Sequence, residues 1–129
     1  MTVLVDSSAW LEYFFGSEMG KNIKSLIEGN EEIVISKINI FEIYHKILKE
    51  RSKEESEKFT SYIILKAMID ELDIDTLKLA AEEKKKLGLG MADAIILATS
   101  IKYNATIYTK DKDFEVAKDF TKIIFLEKT

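Results

Sequence analysis

Cysteine is absent from the chain, and His45 is the only histidine. This inventory excludes disulfides, thiol chemistry and zinc sites built on cysteine, so any metal must be held by oxygen. Proline and glutamine are also missing, and among 19 lysine and arginine residues only Arg51 is an arginine. Such lysine- and glutamate-rich usage occurs in thermophiles and also follows from AT-rich coding. It leaves a single guanidinium for bidentate contact with phosphate. No apolar run approaches the ~18 residues needed to span a bilayer, and the opening MTVLVDSSAW has no basic leader region. A cytoplasmic protein without a membrane partner is expected.

What is present is 129 residues, 47% of them hydrophobic, with no low-complexity segment. That is enough for one core, and a single domain over 1–129 is expected. The formal net charge of −4 argues against a protein that wraps a duplex with a basic surface. Four carboxylates gathered around one metal site would account for the whole of that charge, so it does not exclude nucleic acid.

Short apolar, β-rich runs recur at 2–5 (TVLV), 33–35 (IVI), 105–108 (ATIY) and 123–126 (IIFL), with a weaker candidate at 71–74 (ELDI). The first four lack polar alternation after Thr2, as strands covered on both faces do. Helical spacing fills 8–15, 18–28, 37–50, 53–68, 75–87 and 91–103. This alternation predicts a three-layer α/β/α fold around a parallel sheet of four to five strands. The charged stretch 49–58 reads as an exposed turn between helices.

In open parallel sheets, ligands collect at the carboxyl ends of the strands. Asp6 ends the first strand, and Asp111 follows the strand ATIY by three residues. Glu42 lies in the second turn of the helix after IVI, and Asp93 in the first turn of the helix that feeds ATIY; both helices begin at that same edge. Each acid alone has a plain reading as a cap, a partner of a helix dipole or a surface carboxylate. Together they are harder to dismiss, because Glu42 and Asp93 sit among apolar neighbours, where an unpaired carboxylate costs several kcal/mol or gives up its charge. A shared divalent cation removes that penalty. Hard oxygen ligands suit Mg2+ or Mn2+, and such sites favour phosphodiester hydrolysis.

Four motifs, VLVDSSAWLEYF, the isolated Glu42, GMADAIILATS and YTKDKDF, resemble in order those of the PIN-domain ribonucleases, specifically the toxins of VapBC-type toxin–antitoxin pairs. The resemblance covers nearly the whole chain. It implies a PIN-like fold and a Mg2+- or Mn2+-dependent endoribonuclease, usually a homodimer, that acts on RNA and is inhibited by an antitoxin protein lying across the site. It also implies that Asp6, Glu42, Asp93 and Asp111 are metal ligands or catalytic carboxylates, with Ser8 and Thr109 as supporting hydroxyls.

In YTKDKDF two aspartates compete. Asp111 takes the place of the fourth acid, whereas Asp113, ahead of the helix-compatible FEVAK, reads as a supporting N-cap. Lys110 and Lys112 flank the fourth acid and are the candidate RNA-backbone contacts. Lys84, Lys85 and Lys86 follow two glutamates on a helix and read as a solvated ion-pair face. Trp10, Tyr13 and Phe14 read as core or dimer residues rather than base-stacking ones.

The Glu42–His45 pair has the E-x-x-H spacing of di-iron bundles, but such bundles need two copies. A receiver-like phosphoacceptor would need an aspartate after IVI, where the chain has SKIN. A catalytically silent binding scaffold is the remaining alternative. The helices at 38–48 and 59–69 carry more apolar residues than one buried face requires, which points to a second copy or the antitoxin.

Overall fold

The computed structural model describes residues 1–127. The chain runs through β1 (Thr2–Val5), α1 (Ser7–Phe15), α2 (Glu18–Ile27), β2 (Glu32–Ile35), α3 (Lys37–Glu50), α4 (Lys53–Lys66) and β3 (Met68–Ile69). It continues through α5 (Ile74–Leu87), α6 (Met91–Tyr103), β4 (Thr106–Thr109), a 3-10 helix (Lys112–Ala117) and β5 (Ile123–Phe125).

The five strands form one sheet in the order β3-β2-β1-β4-β5, and every pairing is parallel. Side chains alternate along β1: Val3 and Val5 belong to one apolar cluster and Leu4 to the other. The first cluster joins Trp10, Ile23, Ile43, Ile47 and Ile63 from α1 to α4. The second joins Ala80, Ile96 and Leu97 from α5 and α6 with Phe114 of the 3-10 helix. Helices therefore cover both faces, the expected α/β/α layering, and the central β-rich runs lack polar alternation because both their faces are covered.

The weak strand candidate at 71–74 is corrected. The edge strand is the two-residue β3 immediately after α4, where the Asp70 N–H donates to Ile35 O at 2.9 Å. Leu72 lies in the left-handed region (φ 55°), and Asp73 caps α5 by accepting the Thr76 N–H at 2.8 Å. The apolar spacing of α4 runs on through Met68, which hid the strand from the sequence. The buried Asp70 then accepts bonds from Leu72 N at 2.9 Å, Lys102 Nζ at 2.8 Å and Tyr103 OH at 2.7 Å, fastening this loop to the last turn of α6.

The helices end where the backbone can turn. Gly88, at φ 73°, closes α5 in a conformation that side chains disfavour. Gly20 lets α2 pack directly on the backbone of Glu12 and Tyr13 in α1. Ser36 opens α3 with a capping box completed by Asn39.

Candidate functional site

Chain order makes β1 the switch point of the sheet: the chain builds outward to β2 and β3, then returns to place β4 and β5 on the other side. A crevice forms at such a point, at the carboxyl ends of the strands. Asp6 stands there, immediately after β1, its N–H donating to Tyr108 O at 2.9 Å and so extending the pairing with β4.

Asp6 occupies the N-cap position of α1 but makes no side-chain cap bond. Its carboxylate turns instead to the crevice, where Oδ2 accepts from Thr109 Oγ1 at 2.8 Å and Ser8 Oγ at 3.0 Å, and Oδ1 from Asn39 Nδ2 at 3.4 Å. The two hydroxyls are 3.1 Å apart, so Ser8 and Thr109 form one clasp around this acid. Each is also held by the β4 turn, Ser8 Oγ accepting the Lys110 N–H at 3.1 Å and Thr109 Oγ1 the Asp111 N–H at 3.0 Å.

Glu42 reaches the same place from α3, half-buried, with Oε1 accepting from Ser7 Oγ at 2.8 Å. Asp93, in the first turn of α6, is half-buried. Carboxylate oxygens of Asp93, Asp111 and Asp113 lie within 4.8 Å of one another. None of these five acids forms an ion pair with a lysine or arginine among the described residues.

Burial and crowding raise the proton affinity of Asp93, Asp6 and Glu42. Burial pushes Asp93 up to about 7, with the negative charges of Asp111, Asp6, Glu42 and Asp113 adding to it and no hydrogen bond opposing it. Burial also raises Asp6, and the Thr109 and Ser8 hydroxyls only partly offset it. Glu42 is raised by burial, opposed by the Ser7 bond and reinforced by Asp6 and Asp111. Oxygen ligands of concentrated charge, lacking a counter-cation, are the donor set that Mg2+ or Mn2+ takes, and the residues present fit such an ion.

The structure corrects the division of labour in YTKDKDF. Asp111 is the N-cap of the 3-10 helix, its Oδ1 accepting the Asp113 N–H at 2.9 Å. Asp113 caps nothing and is exposed, with its carboxylate turned toward Asp93 and Asp111. The helix starts at Lys112, two residues before the Phe114 that a cap at Asp113 implies, which moves the capping position back to Asp111.

The two flanking lysines already have partners. Lys110 Nζ lies 3.1 Å from Glu12 Oε1, and Lys112 sits over the Phe125 ring at 4.3 Å. Trp10 is fully buried, as expected of a core residue, and stacks on Phe14, which stacks on Phe59 of α4. His45 is exposed and stacks on Phe41. Lys84 donates to Leu89 O and Lys86 lies over the Phe120 ring.

Two residues at the crevice had escaped the sequence reading, Ser7 and Asn39. Their signal was faint: Ser7 is the first of two serines after Asp6, and Asn39 stands three residues before Glu42. Asn39 is fully buried, and its bonds to Asp6 and Ser7 span more than thirty residues of sequence.

A fold and a crevice of this kind define an acid-lined α/β domain. The PIN domain family model matches residues 3–119, and the chain belongs to that family. Among solved structures, it is similar to VapBC2 from Rickettsia felis bound to a promoter DNA fragment, with a TM-score of 0.79 at 17% identity, covering 98% of this chain and 100% of that one. It also resembles a toxin–antitoxin complex from Klebsiella pneumoniae, with a TM-score of 0.77 at 20% identity, covering 98% and 99% of the two chains. VapC20 from Mycobacterium tuberculosis, described as a sarcin–ricin loop cleaving toxin, matches with a TM-score of 0.76 at 15% identity over 89% of this chain and 94% of that one. No curated protein matches the sequence.

Proposed function

We propose that this protein is a divalent-metal-dependent endoribonuclease, the toxin partner of a VapBC-type toxin–antitoxin pair. One observation carries the reading: carboxylates from four separate segments converge at the switch point, and among the described residues no lysine or arginine pairs with them. A purely structural cluster would be expected to include a lysine or arginine. Asp6, Glu42, Asp93 and Asp111 would hold Mg2+ or Mn2+, with Asp113 beside them. When bound there, the cation offsets carboxylate repulsion and stabilises the negative charge that develops on phosphate oxygens during hydrolysis.

The chain's own residues supply the rest. The Ser8–Thr109 clasp orients Asp6, the Ser7 hydroxyl orients Glu42, and the carboxylates can accept a proton from an attacking water. Lys110 and Lys112 lie beside the acids, and an RNA backbone could draw them from Glu12 and Phe125.

The similar toxin–antitoxin complexes support an antitoxin as partner. A groove of about 690 Å3 between α1, α2 and α4, walled by Tyr13, Phe14, Phe59, Tyr62 and Leu65, offers apolar surface away from the acids. Phe41, Leu48, Ile64 and Leu65 are exposed on α3 and α4, surface that a homodimer would cover. Light scattering that finds only monomer at micromolar concentration would remove the dimer from this reading. Among the described residues no helix is long and apolar enough to cross a membrane, in keeping with a cytoplasmic site of action.

The test is incubation of total RNA with the purified protein, with and without EDTA, beside Asp6→Asn. Cleavage that requires the divalent ion and is lost in the variant is expected. Cleavage that survives both treatments would sink the reading and favour a contaminant or a silent scaffold.

A further inference from the structure

Asn39 is a buried amide that the proposed chemistry does not touch, yet it bonds one of the four acids, Asp6, and is linked through Ser7 to a second, Glu42. Its Oδ1 accepts the Ser36 N–H at 3.2 Å, which completes the cap of α3. That bond fixes which end of the amide is which. The nitrogen faces the crevice and gives one hydrogen to Ser7 Oγ at 2.9 Å and the other toward Asp6 Oδ1 at 3.4 Å.

Ser7 is thereby polarised in one direction. With its oxygen accepting from Asn39, its own proton is free for another acceptor, and Glu42 Oε1 stands 2.8 Å away. Ser7 is the one hydrogen-bond partner of Glu42 among the described residues, whereas Asp6 has Thr109, Ser8 and Asn39. A half-buried glutamate on a helix has several rotamers, and this single bond selects among them. Since Asn39 also caps α3, the group that fixes the start of that helix is the group that reaches the end of β1.

Resting on the nuclease reading, we infer that Asn39 and Ser7 are positioning residues: together they hold the carboxylates of Asp6 and Glu42 at a set separation, ready for a divalent cation. Groups that orient metal ligands from behind typically carry an effect of about 10- to 100-fold on affinity. A merely structural role for Asn39 as a helix cap would change stability and leave metal affinity where it was.

The experiment measures Mn2+ affinity of the full chain by electron paramagnetic resonance, with melting temperatures in EDTA recorded for every variant. Ser7→Ala should weaken Mn2+ binding by about tenfold or more while leaving the fold intact, and Ser7→Thr, which keeps the hydroxyl, should recover most of it. In a Glu42→Gln background Ser7→Ala should have little further effect, because its action passes through the Glu42 carboxylate. Asn39→Ala should weaken binding at least as much and also lower the melting temperature; should it fail to fold, the Ser7 variants decide alone. Ser7→Ala with wild-type affinity, or an undiminished effect of Ser7→Ala in the Glu42→Gln background, would overturn the inference. Wild-type protein that binds no Mn2+ would overturn the nuclease reading with it, whereas the expected binding pattern without RNA cleavage would overturn that reading alone.

Discussion

Asp111 and Asp113 differ by two positions and by what their oxygens meet. Asp111 accepts the Asp113 N–H and also lies among the clustered acids. Its two roles separate by substitution. Asn keeps a capping oxygen and removes the charge, whereas Ala removes both. In metal-free buffer Asp111→Asn should melt at or above the wild-type temperature, and Asp111→Ala should be less stable than Asp111→Asn by about 1 kcal/mol, the usual value of a cap. Asp113→Ala should raise the melting temperature in EDTA, since it only relieves repulsion of Asp93 and Asp111. A loss of stability on Asp113→Ala would return the capping role to that residue. From sequence, the two aspartates were distinguishable only by where the helix begins, and a two-residue difference there reversed their structural jobs. The convergence of Asp6, Glu42, Asp93 and Asp111 was legible because strand ends and helix starts share one edge. Ser7 and Asn39 were not, because their partners come from distant parts of the chain.

The loop between β3 and α5 depends on one buried carboxylate. Burial disfavours the charge on Asp70, but the bonds from Lys102, Tyr103 and Leu72 outweigh it and hold its pKa below the ordinary value. The same bond to the Leu72 N–H holds the left-handed backbone there. Asp70→Ala removes the acceptor for all three, and a loss of about 2 kcal/mol in urea unfolding is expected. Since Asp70 lies outside the acid cluster, Mn2+ affinity should be unchanged; a coupled loss would tie this loop to the site. The six helices were readable nearly to their ends, from 3.6-residue spacing and serine, aspartate and glycine boundaries. The edge strand β3 was not, since two residues carry no periodicity of their own.

For the whole molecule, the uncompensated acids make stability depend on pH and on divalent ions together. Asp93 is raised in the folded state from 3.8 to about 7, so the folded protein binds this proton more tightly than the unfolded chain. The associated stability is present below pH about 4 and lost as the pH climbs to about 7. Asp6 and Glu42 act in the same sense. Asp70 and Asp73, both lowered, act in the opposite sense and mainly at more acidic pH; Asp73 lies at about 2. Melting temperature in EDTA should therefore fall between pH 4 and 7, and Asp93→Asn should flatten that fall. A divalent ion that binds only the folded state should restore stability at pH 7. A melting temperature that rises through this range in EDTA would mean the acids are not crowded as described.

The most direct measurement is the rate of RNA cleavage by EDTA-stripped protein as Mn2+ is added back, for wild type and Asp93→Asn side by side. The predicted result is no cleavage at zero ion, a saturable rise for the wild type, and little or none for the variant over the same concentrations. Cleavage at zero ion, or equal curves for the two proteins, would contradict a metal-dependent nuclease built on these carboxylates.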